Sequence, residues 1–91
     1  MLASGGLGRA MAPRKAPPQN ALLLFGSRVR ARRHDCGLSQ EALGAASGLH
    51  WTFVGQVERG QRNLSLNNLL KLAAALEIDP GELVTGLRPP S

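Results

Sequence analysis

The side chains able to do chemistry are few, and their spacing argues against catalysis. Cys36 is the only cysteine, so no intrachain disulfide can form, and a reducing compartment is expected. His34 and Cys36 stand two apart on a segment that reads as helical, a spacing that turns them away from each other. His50 is remote from both, so neither a metal nor another cofactor is expected. No Ser–His–acid set and no phosphate-cradling glycine loop occurs at a workable spacing, and an enzyme is not expected. What remains is a hydrogen-bonding and stacking surface. His50, Trp51, Thr52, Gly55, Gln56 and Arg59 would share one face of a helix running from Trp51 to Glu58. A surface helix normally spreads charge over its outer face; this one gathers an indole, a hydroxyl and an amide around small residues, a set suited to the edge of a base pair.

The elements that must hold this face lie on either side of it. Ser39 can N-cap a first short helix, Gln40 to Ser47, by accepting a hydrogen bond from a first-turn N–H. Gly48 falls where the chain past a helix end must turn left-handed, a conformation that costs glycine nothing sterically. Leu49 can plug the corner, and the second helix stops at Arg59-Gly60. Leu43 and Ala46, Leu49, and Val54 with Val57 form an apolar seam at helical spacing. Small Gly44 and Ser47 allow the two backbones to come close.

Before this pair, Ala21–Cys36 reads as a helix with Phe25, Val29, Arg32 or Arg33, and Cys36 along one stripe, ended by Gly37. Arg28, Arg30, Arg32 and Arg33 spread around it and cannot all face one way. After the pair, Ser65 N-caps a helix over Leu66–Leu76, whose Leu66, Leu69, Leu70, Leu72, Ala73 and Leu76 are expected to cover the seam. Asp79-Pro80-Gly81-Glu82 then starts a short last helix that reaches about Thr85.

The run GLSQEALGAASGL, followed by VGQVERGQRNLSLNNLLKLAAAL, resembles the helix-turn-helix domain of phage-repressor and Cro-type regulators, the XRE-like family. The turn, the Glu-Arg-Gly element and the Ser-capped Leu/Ala helix together make this resemblance specific, over roughly Phe25 to Leu87. It implies an all-α, five-helix lambda-repressor-like DNA-binding domain, with helix 51–58 in the major groove of double-stranded DNA. It implies an ion pair between Arg33 and Glu58, phosphate contacts from Gln40, Arg59, Arg62 and Asn63, and base contacts from Trp51, Thr52 and Gln56. Gln can bond adenine through N6 and N7, and Thr offers a hydroxyl or a methyl. Trp51 has three outcomes open to it: a thymine methyl, the sugar-phosphate wall, or the protein itself. The resemblance further implies a homodimer through the last helix, with Leu83, Val84 and Leu87 at the contact.

The bulk numbers agree with one small domain. The chain has 91 residues and a formal net charge of +5, with a pI near 11.2, which suits a polyanionic partner. Residues 1–20 read as a disordered basic arm, 21–87 as the domain and 88–91 as a tail. Arg14 and Lys15 are either a DNA-contacting arm or a solvated tail, and Met11 is a second possible start. No run approaches the ~20 apolar residues that span a membrane, no signal-peptide core is present, and a cytoplasmic, nucleoid-associated regulator is expected. The expected function is that of a sequence-specific transcriptional regulator, a repressor or autoregulator. The alternative from another class is a protein-interaction module on the same fold, with a toxin or a polymerase subunit as its partner.

Overall fold

The computed structural model describes residues 20–89; the arm with Arg14 and Lys15, and the end of the tail, lie outside the described residues. Among the described residues five helices follow one another: α1 (Ala21–Asp35), α2 (Gln40–Ser47), α3 (Trp51–Glu58), α4 (Leu66–Ala75) and α5 (Pro80–Val84). Each start is fixed by a side-chain cap. Ser39 Oγ accepts from the Ala42 N–H at 3.0 Å and Ser65 Oγ from the Asn68 N–H at 3.1 Å. Asp79 Oδ1 accepts from the Gly81 N–H at 2.8 Å. Asn20, which the sequence assigns to the arm, accepts from the Leu23 N–H at 3.1 Å and thereby starts α1. Between α2 and α3 the turn hangs on Gly48, whose φ of 75° lies in the left-handed region.

The core is one cluster. Phe25 and Val29 of α1, Leu43 of α2, Val54 and Val57 of α3, Leu72, Ala73 and Leu76 at α4, and Leu83 of α5 are all buried. Two expectations fail here. Ala46 is exposed, and Ser47 with Gly44 closes the α2 side of the seam instead. On α4, Leu66 and Leu70 point outward, 71% and 45% exposed. The crossing brings only Leu72, Ala73 and the capping Leu76 fully onto the core, so the wide apolar face is half uncovered.

The arginines of α1 divide by direction. Arg28 donates to the carbonyls of Leu83 and Thr85 at the end of α5. Arg32, one turn on, donates to the carbonyls of Leu76 and Glu77 at 2.9 and 3.2 Å. Both satisfy carbonyls that a helix end leaves without partners. Cys36 is the C-cap of α1 and is exposed, not part of the buried stripe, which runs Phe25, Val29, Arg33.

Helix α1 meets α3 backbone to backbone at Gly26. A Cβ there would collide with the carbonyl oxygen of Val57 and stand 2.7 Å from that of Glu58. Helix propensity alone makes Gly→Ala favourable by about 1 kcal/mol; the collision has rigid backbone on its far side and should reverse the sign. Gly26→Ala is expected to destabilise the domain by roughly 2 kcal/mol net, measured by urea unfolding, whereas a gain in stability would mean that the two helices do not touch there.

Candidate nucleic-acid interface

Helix α3 owes its orientation to Glu58, its last residue. Glu58 is 7% exposed and Arg33 8%. Arg33 Nε donates to Glu58 Oε2 at 2.6 Å and Arg33 Nη2 to Oε1 at 3.0 Å, a two-pronged pair, while Arg33 Nη1 donates to the Leu38 carbonyl at 2.9 Å. The hydrogen bond to Glu58 is the main reason that the Arg33 pKa is raised, against the lowering effect of burial. Gln40 Nε2 adds a third donor to Glu58, 3.1 Å from Oε1. One carboxylate thus gathers α1, the first residue of α2 and the end of α3.

Gly55 explains how Gln40 and Arg59 reach across α3. The sequence puts Gly55 on the outward face, but it is buried. A Cβ at this position would lie 3.2 Å from Arg59 Nη1 and 3.4 Å from Gln40 Oε1. The two side chains pass over the bare glycine, and an open cleft lined by Arg30, Arg33, Gln40, Glu58 and Arg59 lies beside them. Arg30 is a cation that the sequence reading missed. Spacing around α1 does not single it out from Arg28, Arg32 and Arg33; it stands apart only once the structure engages Arg28 and Arg32 with carbonyls and Arg33 with Glu58.

The rest of the face lies at the start of α3 and in the following loop. Trp51 is 47% exposed, Thr52 is exposed and Gln56 is half-buried. His50 stands before the helix as its N-cap instead of on its face, its Nδ1 accepting from the Thr52 N–H. The Arg62 guanidinium lies over the Phe53 ring, 5.1 Å from its centroid, and its Nη1 donates to Gln56 Oε1 at 3.4 Å. Arg59 Nε donates to Gln61 at 3.2 Å, and Asn63 Oδ1 accepts from the Leu64 N–H within its own loop. Gln40, Arg59, Arg62 and Gln56 therefore border one surface with Trp51 and Thr52 at its other end. Asn63 sits farther along the loop.

At the opposite end of the fold, Leu83 is 1% exposed and belongs to the core of a single chain. It has no surface left to offer a second copy, which corrects the expectation that it lies at a dimer contact. Val84 is exposed. Leu87 packs partly on the core, beside a groove that also includes Phe25, Leu64 and Leu69.

Two short helices crossed at a left-handed glycine, the second carrying polar and stacking groups outward, define a helix-turn-helix fold. Residues 29–83 match the Helix-turn-helix family model HTH_3, and the chain belongs to that family of DNA-binding transcriptional regulators of the Cro/C1 type. Among proteins of known name, it is 42% identical over 66 residues to control protein C.BamHI of Bacillus amyloliquefaciens, covering 71% of this chain and 82% of that protein. It is 44% identical over 62 residues to C.SmaI of Serratia marcescens, covering 68% and 74%. Of solved structures, the restriction-modification controller C.AhdI of Aeromonas hydrophila superposes with a TM-score of 0.67 at 60% identity, covering 68% of this chain and 94% of that one. The P22 c2 repressor, solved with a synthetic operator, superposes with a TM-score of 0.65 at 38% identity, covering 70% and 97%.

Glu58→Ala leaves Arg33 buried without a counter-charge and is expected to cost about 3–5 kcal/mol. The double variant Arg33→Met with Glu58→Leu removes both charges and should recover most of that loss. Chemical denaturation of the three chains separates the two outcomes; equal losses in the single and the double variant would mean that the pair is held for more than charge balance.

Proposed function

We propose that this chain is a sequence-specific double-stranded DNA-binding transcriptional regulator, a repressor or autoregulator, that works as a homodimer with α3 in the major groove. The observation that carries this reading is the surface of α3, where exposed Trp51 and Thr52 and half-buried Gln56 share a face with arginines on its flank. Base edges are read by Trp51, Thr52 and Gln56, and phosphates are held by Gln40, Arg59, Arg62 and Asn63, with Arg30 added from the cleft. Gln40 also stands at the first turn of α2, where free N–H groups and the helix dipole favour an anion. Such contacts fix register and carry little sequence information.

The homodimer contact is assigned to Val84 and Leu87, extended by the outward Leu66 and Leu70, which leave apolar area that a second copy would cover. Among regulator subtypes we favour a controller of a restriction–modification system. The reason is the 60% identity to C.AhdI over nearly that whole chain, with C.BamHI and C.SmaI beside it. The place of action would be the nucleoid in the cytoplasm.

Selection from a random duplex pool tests this reading. Two half-sites about 10 base pairs apart, or a multiple of that, are expected from a two-fold dimer. Gln56→Ala should change the preferred base at one position per half-site. Arg59→Ala should weaken binding to all sequences alike and flatten the slope of log K against log salt by about 0.9 for each phosphate no longer neutralised. A pool that stays random with the wild-type chain would overturn the reading.

A further inference from the structure

His50 touches both residues that open α3. Its Nδ1 lies 3.1 Å from the backbone nitrogen of Thr52 and 2.7 Å from Thr52 Oγ1. Its ring stacks on Trp51, with centroids 6.0 Å apart and planes 26° from parallel. A backbone N–H can only donate. The nitrogen facing it therefore carries no proton, and the neutral imidazole keeps its hydrogen on Nε2. The Thr52 hydroxyl lies 2.7 Å from the same nitrogen, which has no hydrogen to give, so the hydroxyl's hydrogen turns inward and shares the one lone pair with the Thr52 N–H.

We infer that His50 is a positioning residue that determines specificity by fixing what Thr52 can offer a base. This rests on the proposal that Thr52 reads the major groove. A free threonine hydroxyl rotates and can either donate or accept. With its hydrogen committed to His50, Thr52 presents only lone pairs and a methyl group. Its hydroxyl then accepts from an exocyclic amino group, adenine N6 or cytosine N4, and is poorly matched to guanine, whose O6 and N7 are acceptors, while thymine, whose O4 is likewise an acceptor, is left with the weaker contact between methyl groups. The stack on Trp51 holds the neighbouring indole on the same side of the helix start. A side chain outside the reading set thus selects A or C over G or T at one position.

The test uses the full chain and its selected site. The position assigned to Thr52 is the one at which Thr52→Val loses its preference, and duplexes with each of the four bases there are titrated against wild type, His50→Gly, His50→Asn, Thr52→Val, and His50→Gly with Thr52→Val. Glycine is tolerated at an N-cap and asparagine caps well, so the variants are expected to fold, which thermal melting verifies. Wild type should prefer A or C by about tenfold, the worth of one well-placed hydrogen bond. His50→Gly should reduce that preference to under about threefold, and His50→Asn, which restores an acceptor, should recover it. In the Thr52→Val background no preference is left at that position for His50→Gly to remove, whereas a residue that merely capped the helix would weaken binding to all four duplexes alike and leave the wild-type A or C preference in place. A wild-type preference for G or T, or a His50→Gly variant that keeps the A or C preference, overturns the inference. A wild-type chain that selects no sequence overturns the base-reading proposal as well, and is told apart by the absence of any consensus.

Discussion

Glu58 is a carboxylate withdrawn from water at the end of an eight-residue helix, and the domain is built so that this is tolerable. A buried charge costs several kcal/mol unless it is paired and its remaining lone pairs are used. Arg33 supplies two donors from α1 and Gln40 a third from α2. Satisfying one side chain therefore fixes where three helices stand. Helices as short as α2 and α3 are marginal by themselves, and their orientation has to come from such ties and from the core beneath them. At Gly26 the backbones of α1 and α3 approach closely, the carbonyls of Val57 and Glu58 occupying the space a Cβ would need, so the same two helices that the ion pair ties are also packed against each other.

The outward side of α3 inherits its geometry from that arrangement. Gln40 is both a ligand of Glu58 and a border of the candidate interface, and it reaches that border across Gly55 together with Arg59. The structural core and the proposed recognition surface are thus linked through one amide. Arg28 and Arg32 are occupied in holding the ends of α5 and α4 to α1. The positive charge that borders the candidate interface is accordingly a subset of what composition suggests, namely Arg30, Arg59 and Arg62.

Much of this was legible in the sequence where the cause is local. A serine or aspartate before a helix acts through its nearest N–H groups, and Gly48 acts through its own φ, so Ser39, Ser65, Asp79 and the turn could be read without knowing the fold. The Arg33–Glu58 pair came from the family resemblance, since nothing in spacing alone joins residues so far apart. Properties that depend on crossing angles were not legible. Leu66 and Leu70 lie on an apolar stripe wider than the surface α4 can cover, Ala46 falls just outside the seam, and Gly55 is covered by side chains from elsewhere. The resemblance put Leu83 at a contact between copies, whereas it is the residue by which α5 closes the core of one chain. Gly26 carried no signal at all, since a glycine within a helix gives no hint of which backbone it admits.

The function proposed for this domain requires that the face fixed by Glu58, and carried by α3, enter the major groove. Methylation interference on a selected duplex decides this, because dimethyl sulfate marks guanine N7 in the major groove and adenine N3 in the minor groove. Methylated guanines should block binding in two patches about one helical turn apart, matching two recognition helices of a two-fold dimer, while methylated adenines within those patches leave binding intact. Blocking confined to adenine N3, or a single unrepeated patch, would contradict the placement of α3 and with it the reading of this surface.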